Sequence, residues 1–500
     1  MAVCGFCRST LVREGEALRR IGQSAELFDD FSPLQLGAAG RWQGQAFSLV
    51  GRLQMAYAGG VWNEWHALFD TGEHDQRSGW LSEDNGRYVM AFDAPAPADL
   101  PALESMQPGQ GVAIDARLWQ VAAVTLARVG AAQGELPQAP NLADQFTLVE
   151  LRNAQDEVGT LDYSEPNKPR WSVGRSVALG DLQLSGLRQG EAEKTLSARG
   201  APCPNCGAAL QVTLASTQSI VCGQCQAVVD VSQGLGGDLA HYKQGAPQGG
   251  GEPLLALGSS GQLALGGPVR AWQVVGYVER CELPEDPEDA RVYWHEYLLY
   301  AQEVGFSFLV DSEDGWSWAT PITGAPVVSG DSARWRDHSY RKLYDYQGQI
   351  TYVLGEFYWR LSRGQRTANT DYAVGSKRLN REKAGNEVTW SAGQTLESAT
   401  VAKAFRLPPD RHAALQRDAS PLSGGAKNLP VSKTLMVMLV VFFLLVMAVK
   451  ACSSDGCDNI RNTFGLASNE YQQCLASDRT SGAARSRGGS FGGFSGGGHK

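Results

Sequence analysis

The sequence lacks the signatures of most catalytic folds. It has no GxxxxGK[ST] phosphate loop, no GxGxxG following a strand-like run and no HExxH. Histidine is scarce, at seven residues; His66, His74, His295 and His338 are scattered, and none joins a Ser or Cys nucleophile in a known motif. There is no basic surplus either. The net charge is -9, which argues against a general nucleic-acid binder, since that needs a basic face to neutralise phosphates. Residues 1–20 show no charged stretch followed by an apolar core, so no secretory signal is expected. Helical periodicity is limited to Leu11 to Phe28 and one apolar run near the C-terminus. Together these absences leave no constellation that predicts an enzyme.

What is present begins with cysteine. Cys203-x2-Cys206-x15-Cys222-x2-Cys225 has the spacing of a zinc ribbon. Each CxxC turn presents two thiolates on one side of a tight loop, and two such turns close a tetrahedral S4 site. Gly207 and Gly223 are expected to free backbone N–H groups to face the sulfurs. A redox CxxC would require a thioredoxin-like βαβ context, and none is visible. The expectation is one structural zinc ion in a reducing, cytoplasmic compartment. Cys4 and Cys7 form a further CxxC pair near Met1. Two ligands cannot close a zinc site, so three readings stand open: a ribbon whose first half lies upstream, a site completed by another chain, or an idle thiol pair.

Residues 434–449 read TLMVMLVVFFLLVMAV, without a charge and bracketed by Lys433 and Lys450. About 16 residues at 1.5 Å each span roughly 24 Å, near the ~30 Å of a hydrocarbon core once the lysines snorkel. A single transmembrane helix is expected over 433–450, with the bulk of the chain cytoplasmic and residues 451–500 on the far side of a bacterial inner membrane. In that tail Cys457 and Cys474 flank a helix-like stretch. In an oxidising space they would pair as a disulfide; in a cytoplasmic tail they would be free thiols. The last residues are Gly/Ser-rich and read as disordered.

A duplication organises the rest. Ala2-Val-Cys-Gly-Phe-Cys7 matches Ile220-Val-Cys-Gly-Gln-Cys225. Pro33-Leu-Gln-Leu-Gly37 parallels Pro253-Leu-Leu-Ala-Leu-Gly258, and Trp62-Asn-Glu-Trp65 parallels Trp294-His-Glu-Tyr297. Ser82-Glu-Asp-Asn-Gly86 is set against Ser312-Glu-Asp-Gly315, Leu118 to Val124 against Ile350 to Glu356, and Trp171-Ser-Val-Gly174 against Trp390-Ser-Ala-Gly393. Within each copy the apolar residues alternate or run in short β-branched and aromatic blocks bounded by Gly, Asp and Asn turns. The expected fold is mostly β: two antiparallel β barrel or sandwich domains in tandem, each preceded by a zinc ribbon, the first truncated. The expected boundaries are a partial ribbon and helix at 1–30, the first β domain at 31–190, the ribbon at 200–232, a Gly-rich linker at 233–251 and the second β domain at 252–410. A linker at 411–432 precedes the membrane helix.

This order of motifs resembles a family of uncharacterised bacterial proteins known only as a domain of unknown function. The resemblance rests on Trp62-Asn-Glu-Trp65, Trp294-His-Glu-Tyr297 and the CxxC pairs. It implies a ribbon, a β domain with a W-x-E-[WY] strand and, in some members, a membrane helix with a Gly-rich tail. It supplies no activity, only a gene association with polyamine-synthesis-like and membrane-stress genes. Two functional expectations follow. The first is a non-enzymatic, membrane-anchored scaffold that binds proteins. The alternative is a sensor that takes a small ligand, such as a polyamine, where Trp62 with Glu64 and Trp294 with Glu296 share a strand face. The same carboxylates could instead simply satisfy neighbouring strand groups.

Overall fold

The structure, a computed structural model, describes residues 2–3, 9–14, 17–23 and 32–416, less 59, 71–75, 85–86, 99, 139, 143, 166–167, 189–200, 215–216, 233–238, 250–251, 285–290 and 302–303. The expectations for Cys4, Cys7, the 433–450 segment and the Cys457–Cys474 pair lie outside the described residues. Among the described residues no helix is long and apolar enough to cross a membrane.

Both β domains are closed eight-stranded antiparallel barrels. The first comprises β1 (Gln45–Tyr57), β2 (Gly60–Asp70), β3 (Gln76–Asp84), β4 (Arg87–Ala94), β5 (Arg117–Glu135), β6 (Gln145–Arg152), β7 (Glu157–Asp162) and β8 (Arg170–Val177). They pair in the order β1-β2-β3-β4-β8-β7-β6-β5, and β5 returns to β1 to close the barrel. The second comprises β9 (Arg270–Glu282), β10 (Tyr293–Ala301), β11 (Gly305–Ser312), β12 (Gly315–Ile322), β13 (His338–Phe357), β14 (Arg366–Val374), β15 (Lys377–Ala384) and β16 (Glu387–Leu396). Its order, β9-β10-β11-β12-β16-β15-β14-β13 and back to β9, is the same. Closure removes the sheet edges that would otherwise invite aggregation.

The strand registers turn the sequence repeat into residue pairs. Gly51 opposes Gly134 in the first barrel and Gly276 opposes Gly355 in the second. Strands β1 and β9 each carry a bulge just before this point, against β2 at Leu49/Gly51 and against β10 at Val274/Gly276. Gly134 and Gly355 adopt φ +73 and +90, and a Cβ there would lie 2.3 Å from the Val50 carbonyl oxygen or 2.2 Å from that of Val275. Glycine is therefore required where the bulged strand approaches most closely. The Trp62 and Trp294 motifs occupy the same register, as do Trp171-Gly174 and Trp390-Gly393. Two of the expected alignments shift. Ile350 to Glu356 match Val129 to Glu135, not Leu118 to Val124, because Glu135 and Glu356 both lie one residue past the paired glycine. Ser312 matches Asp84 rather than Ser82, since each closes a two-residue hairpin, with Arg87 and with Gly315.

The expected helix at Leu11 to Phe28 is instead a hairpin of strands Ser9–Glu14 and Ala17–Gln23, with the first strand paired to Ala2–Val3. Its sequence mixes apolar and charged residues loosely enough to fit either period. The neighbouring strand supplies backbone partners that decide for β. Two short helices that the sequence reading did not include, α1 (Ser398–Ala404) and α2 (Pro409–Leu415), cover one outer face of the second barrel. Val401, Phe405 and Leu415 bury against Tyr297, Leu299 and Trp316, and the Trp316 indole N–H donates to the Leu415 carbonyl at 2.9 Å. In the first barrel Leu34 and Leu182 cover the same face, packing on Trp65, Ala67 and Phe69. Because strand residues alternate, Trp62 and Glu64, like Trp294 and Glu296, point into the lumen.

The two barrels belong to one compact unit. Ala123 pairs with Glu387, which joins β5 to β16. Side chains reach across beside it: Arg87 donates to the Pro321 carbonyl at 3.0 Å, Arg152 to that of Thr323 at 2.8 Å, and the Trp390 indole to Gln120 at 2.7 Å.

Candidate functional site

The four ribbon cysteines converge. Their sulfur atoms all lie within 4.8 Å of one another, with Cys203–Cys225 and Cys206–Cys222 each at 3.7 Å. A tetrahedron with metal–sulfur bonds of about 2.3 Å has edges of roughly 3.8 Å, so the donor set fits a tetrathiolate metal centre. The two loops share their backbone bonds. Cys203 N–H donates to Ala208 O and Gly207 N–H to Cys203 O; Cys222 N–H donates to Ala227 O and Gln226 N–H to Cys222 O. The left-handed residue is Gly207 in the first loop and Gln226 in the second, at φ +78 and +56, so Gly223 does not play the part expected of it. The Asn205 side chain, followed by the Ala227 N–H, pulls the Cys225 thiol down to about 6. At Cys206 the Ala208 N–H acts downward, but the surrounding thiols outweigh it and push that group up to about 12. Such splitting is what four crowded sulfurs produce when they share protons, and a bound cation would remove the conflict. Cys203 and Cys222 are buried against Leu210, Ile220, Val229 and Val231, while Cys206 faces solvent.

The ribbon is fastened to the second barrel. Ser219 pairs with Phe357 and Ile220 with Glu356. The buried Glu356 carboxylate accepts from the Thr213 and Leu214 N–H groups and from the Thr213 and Thr217 hydroxyls. Asp230 pairs with Arg360 at 2.5 Å, and Arg360 also donates to the Ala58 carbonyl of the first barrel. The short strand Ala2–Val3 docks on the first barrel in the same register, Ala2 opposite Glu135 and Val3 opposite Gly134. There Glu135 is exposed.

In the lumens, the Trp62 indole donates to Glu64 at 2.9 Å and the Trp294 indole to Glu296 at 2.8 Å. The Ser82 hydroxyl donates to the second oxygen of Glu64. Glu296 is fully buried, 3.5 Å from the Arg280 guanidinium, which also binds Glu382 at 3.0 Å. Burial pushes the Glu296 carboxyl upward against the pull of Arg280. Sequence reasoning missed a second pair of inward acids, Glu150 and Asp371, which occupy equivalent places on β6 and β14. The corrected repeat alignment would have found them, because it places LVELR beside NTDYA.

A tandem-barrel protein with a tetracysteine ribbon is thus the class that fold and site define. The chain belongs to the family described as domain of unknown function (DUF4178), whose model matches residues 35–179 and 269–398, one segment for each barrel. No curated protein and no solved structure matches the chain.

Proposed function

We propose that this chain is a non-enzymatic adaptor, anchored in the bacterial inner membrane by residues 433–450, with its barrels in the cytoplasm and its tail outside. One structural zinc ion held by Cys203, Cys206, Cys222 and Cys225 stiffens the ribbon, and the outer barrel surfaces receive protein partners. The observation that supports this reading is the coupling of an all-thiol centre, with no further His, Asp or Glu ligand among the described residues, to Glu356 of the second barrel and, through Asp230, to Arg360, which also reaches the Ala58 carbonyl of the first barrel. Four thiolates saturate zinc and leave no position for a reactive water, so the metal would contribute to folding rather than chemistry. The lumen carboxylates Glu64 and Glu296 already accept indole N–H groups, which gives them a bracing role. The test is affinity capture of the full chain from membranes beside a Cys203→Ser, Cys222→Ser variant. The adaptor reading expects one zinc per chain and a defined partner that the variant loses. Capture of no specific partner would overturn it.

A further inference from the structure

The repeat extends to what each barrel carries on its outside. In the ribbon, Ile220 pairs with Val229 and Val221 with Val228, and Val228 pairs in turn with Tyr242. Near Met1, Ala2 pairs with Leu11 and Val3 with Thr10, and Thr10 pairs in turn with Gly22. The two hairpins share span and register, so the strands at 2–3, 9–14 and 17–23 repeat the backbone of the ribbon's back half. That half docks as its sister does, Ala2 opposite Glu135 and Ile220 opposite Glu356. The sequence also aligns Cys4 and Cys7 with Cys222 and Cys225. The platforms beneath are built alike. A Cβ on Gly51 or Gly276 would strike the carbonyl oxygen of Glu135 or Glu356, at 1.9 and 2.9 Å, and one on Gly134 or Gly355 would meet Leu36 or Leu257, at 2.9 and 3.1 Å.

The platforms differ in what meets the glutamate. Glu356 is 7% exposed, beneath donors from Thr213, Leu214 and Thr217. Those residues belong to the ribbon's front half, which also carries Cys203 and Cys206. Glu135 is exposed, and its carboxylate receives no hydrogen bond from any described residue. His66 feels its charge but bonds the Glu135 carbonyl instead. Water serves an exposed carboxylate, so the free chain loses nothing by leaving it open. The first barrel thus holds in place an acceptor whose sister is covered by a donor-bearing segment. A carboxylate fixed by its strand needs little further ordering when such a segment arrives.

We propose that the platform around Glu135 is a docking site for a partner polypeptide built like the ribbon's front half: a CxxC loop followed by N–H and hydroxyl donors that close on the Glu135 carboxylate. This gives the adaptor reading one defined surface and rests on it only in taking the partner to be a protein. Membrane capture tests that reading, whereas the titration that follows tests Glu135 alone. The probe is a fluorescent synthetic peptide of residues 201–217, titrated by anisotropy into the full chain in detergent with zinc present. The expected result is saturable binding of one peptide per chain. Glu135→Ala should weaken it by at least about tenfold, the loss of one charge-assisted hydrogen bond, while the Tm of the free chain stays unchanged. A peptide with Thr213→Val and Thr217→Val should bind the parent chain as weakly, and Glu135→Ala should then cost nothing more, because both changes remove the same contact. Binding that Glu356→Ala alters and Glu135→Ala does not would mean that the peptide only replaces the chain's own front half, and would overturn the proposal. So would no binding, or undiminished binding in Glu135→Ala.

Discussion

Replacing Glu356 with Ala should release the ribbon from the second barrel without unfolding either barrel. The carboxylate serves four donors: the Thr213 and Leu214 N–H groups and the Thr213 and Thr217 hydroxyls. Thr213 is exposed, so its groups can turn to water. The Leu214 N–H belongs to a buried residue and would be left without an acceptor, at about 1–3 kcal/mol; the half-buried Thr217 adds about 1 kcal/mol. A total near 3 kcal/mol raises the open population on the order of a hundredfold. Hydrogen exchange at the Gln218 amide, which donates to Phe357 O across the junction, reads that opening directly. Glu356→Gln keeps one oxygen and should show about half the effect in free energy. The internal control is Glu135→Ala, the exposed counterpart on the first barrel, expected to lie within about 0.5 kcal/mol of the parent. If Gln218 exchanges no faster in Glu356→Ala, or if Glu135→Ala loosens the ribbon equally, the docking role assigned to this carboxylate is wrong.

Other perturbations separate the parts. Chelation of the metal should cost the ribbon most of its folding energy, on the order of 10 kcal/mol, so that residues 201–231 become protease-sensitive while the barrels keep their circular dichroism. Arg280→Met, the first barrel's residue, strands Glu296 and Glu382 in the lumen and should destabilise the second barrel by about 3–5 kcal/mol in denaturant melts. His66 bonds the Glu135 carbonyl through Nδ1 and Ser78 through Nε2, and burial, the largest influence, holds its pKa below the ordinary value. The folded chain therefore resists protonation there. That contribution should be fully present above about pH 6.5 and fade as pH falls below it. His66→Leu, the residue at Leu298 in the second barrel, should flatten that part of the pH–stability curve.

Much of the barrel was legible because closed antiparallel sheets demand period-two patterning and tight turns, and both leave marks in sequence. The pairs Trp62/Trp294 and Gly174/Gly393 were readable for the same reason: each side chain, or its absence, is fixed by one strand contact. Gly174 and Gly393, for example, lie against Met90 O and Trp318 O, where a Cβ would approach to 2.6 and 1.8 Å. The misaligned segments were the long strands β5 and β13, whose apolar blocks repeat within themselves, so an eleven-residue slip still looked plausible. Only the bulge and its positive-φ glycine set the true register. The hairpin at residues 9–23 was misread because its partner strand, not its own propensity, determines its form. Glu64 and Glu296 were readable because they recur beside a tryptophan, whereas Glu150 and Asp371 stayed hidden because the slipped alignment of β5 and β13 concealed that LVELR and NTDYA are equivalent.

That last point bears on how a duplicated fold divides its labour. A residue that both copies keep in one register, such as the glutamate bonded to the inward tryptophan, is accounted for by closure of the barrel itself. A buried polar residue found in one copy only cannot be, since the other copy closes without it. By this reasoning the bracing pair Trp294–Glu296 and the orphaned amides at Asn369 and Asn380 answer different demands although they share one lumen. The first pair contributes through a made hydrogen bond. The amides each donate one hydrogen bond, to the Thr367 hydroxyl and to Asp371, while their buried Oδ1 atoms carry a desolvation cost. Leu148→Asn with Thr160→Asn, the second barrel's residues at these places, should therefore weaken the first barrel, and its Tm should fall.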